Sequence, residues 1–361
     1  MKIAIDLSQI LYGTGVSHYR ENLVKNLLKI DKENEYLLFG GSLRRGQELK
    51  TRIENLGTNN KTSVKVFPFP PTLASLVWNK LHILPIEKII GSIDLIHTSD
   101  WAEPPSIYPK VTTIHDLIPL KFPKVTPPAI VAAHKDRLKW VKKESGRIIV
   151  PSQTTKNDLI EFGFDENIIK VIYEAPNLKK ANEREIITAK AKYRIHDDYI
   201  IAIGTNPRKN INRIIDAYNL AKSGKNIKLL IVGEKRGPVH EDQRGVRFLG
   251  FVPDHDLGPL LTGSKALIFP SVYEGLGIPI LDGFNCEVPV VTSNIGSMKE
   301  ISEDASILVD PYDVNSIADG IKKALETPKT LITKGLRQVS NFSWTNTAQE
   351  TLRVYKELQN K

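Results

Sequence analysis

The amino-acid sequence predicts an α/β protein built as two doubly wound parallel-sheet domains in tandem. Three observations predict it. Short apolar stretches of strand length alternate with helical patterns through most of the 361 residues, and that alternation builds a parallel sheet covered on both faces. The alternation breaks once, over a polar seam at 173–198, and then restarts. The length suffices for two domains with separate cores.

The first half follows the alternation in order. Lys2–Asp6 is a strand, 16–29 a helix and 36–40 a second strand, followed by a polar segment with Arg44, Arg45, Lys50 and Arg52. Short buried strands follow at 94–97, 111–115 and Arg147–Val150, with helices at 128–143 and 153–162. The segment 71–84, with Trp78, reads as buried core in preference to a lipid-touching surface.

The seam, YEAPNLKKANEREIITAKAKYRIHDD, holds one helix (184–193) and few core residues, which marks a linker and the entry to a second domain. Strands then fall at 199–203, 228–232, 246–249, 266–269, 288–292 and 306–309, with helices between them and Val314–Glu326 after the last. A helix at 344–358, with Ser343 as its cap, ends the chain. Tandem units of this kind bind ligands at the carboxyl ends of their strands, in a cleft between them.

Composition narrows the function. Apolar content of 41% with 25% charged residues is that of a water-soluble globular chain. No apolar run approaches the roughly 20 residues of a membrane span. The start, MKIAIDLS, is a strand pattern and not a secretory signal. One cysteine, Cys286, leaves no internal disulfide and fits a reducing, cytoplasmic compartment. The net charge of +9 sits mostly in residues 1–180, which carry 26 Lys+Arg against 19 Asp+Glu. Such a surplus is either a plain solvated surface or an attraction to an anionic membrane surface or a phosphate-bearing substrate. No basic helix with interleaved aromatics points to nucleic acid.

The chemistry gathers after strands. Gly13-Thr14-Gly15 lets a ligand approach the backbone at a helix start, but the third glycine of a dinucleotide fingerprint is absent. His115-Asp116 ends a buried strand, where His115 would meet a sugar hydroxyl or the reacting centre, or simply cap the strand. His97-Thr98-Ser99-Asp100 competes for that role. Gly204-Thr205-Asn206-Pro207-Arg208-Lys209-Asn210 shapes a turn in which Arg208 and Lys209 clamp a diphosphate. Asp254-His255-Asp256 reads as a helix start and not as a metal site. The stretch FPSVYEGLGIPILDGFNCEVP runs from a strand through a glycine-rich turn into a helix opening at about Pro279. It offers an anion seat flanked by two carboxylates, Glu274 and Asp282.

In this order the elements resemble the retaining glycosyltransferases of family 4, with their two-domain GT-B architecture. Gly13 and Gly15, His115-Asp116-Leu117, the Gly204 to Asn210 turn, Leu249 to Val252, Tyr273 to Pro279 with Asp282, the run from Pro289 to Ser293 and Phe342-Ser343-Trp344 carry the resemblance. It implies a first, acceptor-side domain at 1–175 joined by a returning helix at 344–361, and a nucleotide-sugar domain at 176–343. It implies donor contacts from Gly13, Gly15, Gly204, Thr205, Arg208, Lys209, Gly250, Phe251, Val252, Glu274, Gly275, Leu276, Gly277, Ile278 and Asp282. Glu274 would meet the sugar, Arg208 and Lys209 the diphosphate, the Gly250 to Val252 segment the base, and Asp282 the ribose. His115, Glu274, Arg208 and Lys209 form the implied catalytic set, with no metal and no cofactor.

Two positions depart from the family pattern. The second carboxylate is Asp282 and not Glu, shorter by roughly 1.5 Å, and Glu287 replaces a small glycine. The resemblance favours a metal-independent, retaining hexosyltransferase of the bacterial polysaccharide mannosyl- and rhamnosyltransferase kind. It would use a GDP-mannose-like donor and a glycan or lipid-linked acceptor, with an anionic membrane surface as a further partner at the inner membrane face. A non-catalytic nucleotide-sugar-binding scaffold and an NAD-linked oxidoreductase are the rival readings.

Overall fold

The computed structural model describes residues 1–99, 101–221, 226–234 and 244–359. Asp100 and the last two residues of the 344–361 segment lie outside them. The chain divides into two compact units, Met1–Glu174 with Trp344–Lys361, and Ala175–Ser343.

The first unit holds seven parallel strands: β1 (Lys2–Asp6), β2 (Glu35–Gly41), β3 (Thr62–Phe67), β4 (Leu95–Ser99), β5 (Lys110–Thr113), β6 (Arg147–Val150) and β7 (Ile169–Val171). Their order is β3-β2-β1-β4-β5-β6-β7. Ile3, Ala4 and Ile5 of central β1 are fully buried, as a strand covered on both faces requires. The sequence reading passes over β3 and β7, and both are edge strands. Thr62–Phe67 interrupts its apolar residues with polar ones and is nowhere fully buried, and Ile169–Val171 spans three residues.

Helices Gly15–Ile30 and Trp344–Gln359 pack on this sheet, so that the last helix completes the first unit's core. Leu23, Val24, Leu27, Val354 and Tyr355 meet there, and burial of each of the four aliphatic side chains contributes roughly 1.5–3 kcal/mol. Arg147 Nε donates to Glu357 Oε2 at 3.1 Å, and Thr347 Oγ1 to the Tyr173 carbonyl at 2.7 Å, fixing the helix laterally.

The 71–84 segment is core on one side and exposed on the other. Trp78 is buried with Phe39, Phe67 and Phe69, while Leu73, Leu76, Leu81, Ile83 and Leu84 stay exposed.

The second unit holds six parallel strands: β8 (Asp198–Ile203), β9 (Ile227–Val232), β10 (Val246–Gly250), β11 (Leu267–Phe269), β12 (Val290–Ser293) and β13 (Ile307–Val309). Their order, β10-β9-β8-β11-β12-β13, puts β8 beside β11 at the point where the chain reverses direction across the sheet. Loops leaving the carboxyl ends of those two strands form the natural ligand edge of such a sheet. The polar seam carries one helix, Glu183–Lys192, closed by a reciprocal cap between Asn182 and Glu185.

Candidate active site

In the second unit the loops after β8 and β11 bring Arg208, Lys209 and Glu274 together. Gly204 leaves β8 with φ +89°, a conformation glycine adopts freely. A Cβ there would lie 3.0 Å from the Lys209 side chain, so the turn also needs glycine's small size. Asn210 closes the turn in a left-handed conformation and donates from Nδ2 to the carbonyls of Pro270 and Pro311. The Val272 N–H donates to the Arg208 carbonyl at 2.8 Å, which couples the two loops directly.

Glu274 receives both cations on one oxygen. Its Oε1 is 2.6 Å from Arg208 Nη1 and 2.7 Å from Lys209 Nζ. Burial alone would raise this carboxyl's pKa; the charges of Lys209 and Arg208 overcome it and hold the group below its ordinary value. Arg208 Nη1 also donates to the Tyr273 carbonyl at 3.2 Å, and the Lys209 ammonium lies 4.3 Å from the Phe269 ring centroid. Among the described residues the buried Arg208 Nε–H finds no acceptor. Two cations facing one carboxylate leave a net positive charge, held mostly out of water.

Gly277, at φ +106°, caps the helix Ile278–Asn285. Glu274, Leu276 and the helix start thus follow β11 in one continuous turn, and Ser297 Oγ steadies it by donating to the Glu274 carbonyl at 2.9 Å. Thr205 is buried and its hydroxyl donates to the Glu234 carbonyl. Gly250 ends β10, Phe251 is 70% exposed and Val252 is buried.

Asp282, eight residues beyond Glu274, faces a different environment. Its Oδ1 accepts the N–H groups of Asn177 and Leu178 at 2.7 and 2.8 Å, pinning the chain as it enters this unit. Burial pushes its pKa up to about 7, against the two backbone donors, and Asp254 adds to the rise. Glu287 takes φ +59°, which accounts for a glycine in the family pattern at that place, and pairs with Lys180 at 2.7 Å. Asp256 is engaged by Lys192 at 2.5 Å and Tyr193 Oη at 3.0 Å, in keeping with a helix-start acid. No group of three or more metal-ligating side chains occurs among the described residues.

In the first unit His115 follows β5 with its Nδ1 2.9 Å from Glu174 Oε1 and its ring edge-on to Tyr19 at 4.6 Å. Acceptance by the carboxylate fixes the proton on Nδ1 and the plane of the ring. Glu174 escapes the sequence reading because it lies in the polar seam, 59 residues from its partner. His97, the competitor, is fully buried between Tyr355 Oη at 2.6 Å and Thr113 Oγ1 at 2.7 Å. Burial drives its pKa well down, with Arg20 adding to the effect, so it is a neutral core group. Gly13 and Gly15 flank Thr14 at the start of the Gly15–Ile30 helix, with open space above both.

The chain is similar to known proteins along most of its length. The family described as Glycosyltransferase Family 4 matches residues 14–180, and Glycosyl transferases group 1 matches residues 184–334. O-antigen chain mannosyltransferase B of Escherichia coli is 28% identical over 99% of this chain and 100% of its own length. The serotype-specific mannosyltransferase WbdA of Escherichia coli is 28% identical over 69% of this chain, which covers 33% of that longer protein. Among solved structures, Anabaena HepE in complex with UDP and glucose superposes with a TM-score of 0.73 at 18% identity, over 99% of this chain and 100% of that one. With two all-parallel Rossmann-like units and a matching family description across each, the chain belongs to the family 4, group 1 glycosyltransferases of GT-B fold and is mannosyltransferase-like.

Proposed function

We propose that the chain moves a hexose, with retention of configuration and without a metal, from a nucleoside-diphosphate sugar of the GDP-mannose kind to a hydroxyl of a growing glycan or lipid-linked acceptor. The observation that carries this reading is the Arg208–Glu274–Lys209 cluster. Its surplus positive charge and the unmatched Arg208 Nε–H suit a diphosphate. The start of the Ile278–Asn285 helix adds backbone donors. Glu274, kept ionised, accepts from sugar hydroxyls. The exposed Phe251 supplies a face for the base. Full-length similarity to a mannosyltransferase supports the sugar.

In the reaction the bond from the anomeric carbon to the diphosphate oxygen breaks while the acceptor oxygen bonds the same carbon on the same face. The acceptor's proton passes to the departing phosphate. Arg208 and Lys209 hold the negative charge that develops there. On the first unit, His115 with its Glu174 partner is assigned to a substrate hydroxyl. A cleft lined by Asp6, Tyr12, Phe69, Trp78 and Trp101 is assigned to the acceptor, whose sugar faces suit aromatic rings. Asp282 serves as the pin of the linker in this reading, since Oδ1 already accepts two backbone donors. No helix of the described residues is long and apolar enough to cross a membrane, and a lipid-linked acceptor places the enzyme at the cytoplasmic membrane face.

A panel of nucleotide-sugars read by thermal shift tests the donor. GDP-mannose should stabilise the protein, and Lys209→Ala should abolish most of that shift. A larger shift with UDP-sugars would overturn the choice of base. Binding with neither transfer nor hydrolysis would favour a non-catalytic nucleotide-sugar scaffold.

A further inference from the structure

We propose that a basic hollow at the amino ends of β8, β9 and β10 binds a small organic phosphate monoester, at a site separate from the donor loops. The donor loops leave the carboxyl ends of β8 and β11. The hollow lies at the other end of the second unit's sheet. There His196 and Asp197 lead into β8, Lys228 stands near the start of β9, and the stretch from Gly245 to Arg247 opens β10. The six residues of β8 between the two ends span roughly 20 Å. A ligand of monosaccharide size in one place does not reach the other.

The fold builds the hollow as an apolar floor with a charged rim. Lys228 and Leu230 lie two residues apart on β9 and share a face, and Arg247 of β10 is the register partner of Leu230. On that face Tyr199, Ile201 and Leu230 belong to one core with Ala189 and Ile195. Leu230 and Ile195 thus form the floor, and the cations stand around it. The chain leaves the helix Glu183–Lys192 through Arg194, in left-handed backbone at φ +52°. Arg247 Nη1 donates to the Arg194 carbonyl at 3.0 Å, which fixes the Arg247 guanidinium and ties the turn to β10.

Charge and size then select the ligand. Arg194, Lys228 and Arg247, with His196, line a cavity of about 260 Å³ in which Asp197 is the one carboxylate among the described lining residues. Asp197 is already engaged, by Asn226 Nδ2 at 3.1 Å and Lys228 Nζ at 3.6 Å. Asp198, the next residue, is 3.3 Å from Lys265 Nζ. The two guanidiniums are left without a carboxylate among the described residues. Guanidinium forks beside an ammonium suit the several oxygens of a phosphate. The volume falls just below the roughly 300–1,000 Å³ of sites for drug-sized molecules, and a bare ion would leave most of it open. A body of monosaccharide size, resting on Leu230 and Ile195, completes it. Asp197 and Asp198 at one rim disfavour an extended polyanion.

Calorimetric titration of the full chain with mannose 6-phosphate tests the proposal. The ester should bind with a Kd of about 1 mM or tighter, and more weakly as salt rises. Mannose and inorganic phosphate should each bind roughly tenfold more weakly or worse, since each lacks part of the contacts. An Arg194→Gly, Lys228→Gln double variant should lose roughly tenfold or more in affinity for the ester. Its melting temperature should be kept, because glycine takes the φ +52° of Arg194 freely. Lys209→Ala, which alters the donor loops, should bind the ester as wild type does. No binding by wild type, or unchanged binding in the double variant, overturns the proposal. So does inorganic phosphate that binds as tightly as the ester, since that marks an ion site only. Loss of ester binding in Lys209→Ala would put the ester in the donor loops and overturn it equally.

Discussion

Glu274 and Asp282 stand eight residues apart in one stretch and are 8% and 6% exposed, yet their surroundings drive them in opposite directions. Glu274 meets two cations and stays ionised. Asp282 meets two neutral backbone donors, and burial carries its pKa to about 7. Depth does not separate them; the charge of the donor does. Two full charges outweigh desolvation, and two amide dipoles do not. The same stretch thus carries one charged group suited to a substrate and one nearly neutral group suited to holding the chain.

The largest test of that contrast removes the charge from Glu274. Glu274→Gln keeps the size but leaves Arg208 and Lys209 without a counter-ion. Turnover should fall by at least about tenfold, an effect of ~1.4 kcal/mol or more on the barrier. Affinity for the free nucleoside diphosphate should hold or tighten, because the site gains positive charge. Wild-type turnover in this variant would remove Glu274 from the catalytic set.

Stability against pH gives the next largest effect, and the two carboxylates contribute with opposite sign. Glu274, whose folded pKa is depressed, stabilises the fold above the ordinary carboxylate pKa, and that contribution is lost as pH falls through the depressed value. Asp282, whose folded pKa is raised, stabilises the fold below about pH 4, and that contribution is lost as pH rises from there through about 7. Asp282→Asn keeps a carbonyl oxygen for Asn177 and Leu178 and cannot ionise. It should therefore gain on wild type by on the order of 2 kcal/mol at pH 8 relative to pH 5, read by denaturant unfolding. A parallel pH dependence in both proteins would mean that Asp282 titrates normally.

The sequence made the contrast only half visible. Glu274 was legible because Arg208, Lys209 and the glycine-rich turn are motifs with a physical purpose, each local to one loop. That Asp282 faces Asn177 and Leu178 was not, since the contact joins segments more than a hundred residues apart. The central strands were legible for a similar reason: burial on both faces makes a strand a continuous apolar run, as in β1 and β8. The edge strands β3 and β7 lack that pressure and passed unread. The 71–84 segment resisted a single reading because one side of it packs Trp78 inward while the other turns five aliphatic side chains out.

Glu174 offers a third carboxylate, in the other unit, whose partner is an imidazole. If it only orients His115, an amide oxygen in its place accepts the Nδ1–H equally well, and charge is secondary. Glu174→Gln should then lower turnover by no more than about threefold, while Glu174→Ala, which removes the acceptor, should cost roughly tenfold. The loss should appear in kcat more than in KM, because a tilted ring misplaces a contact made as the sugar transfers. Should Glu174→Gln be as slow as Glu174→Ala, the negative charge itself matters. His115 would then be carrying positive charge in the reaction, and the acid limb of the pH–rate profile should move with the substitution.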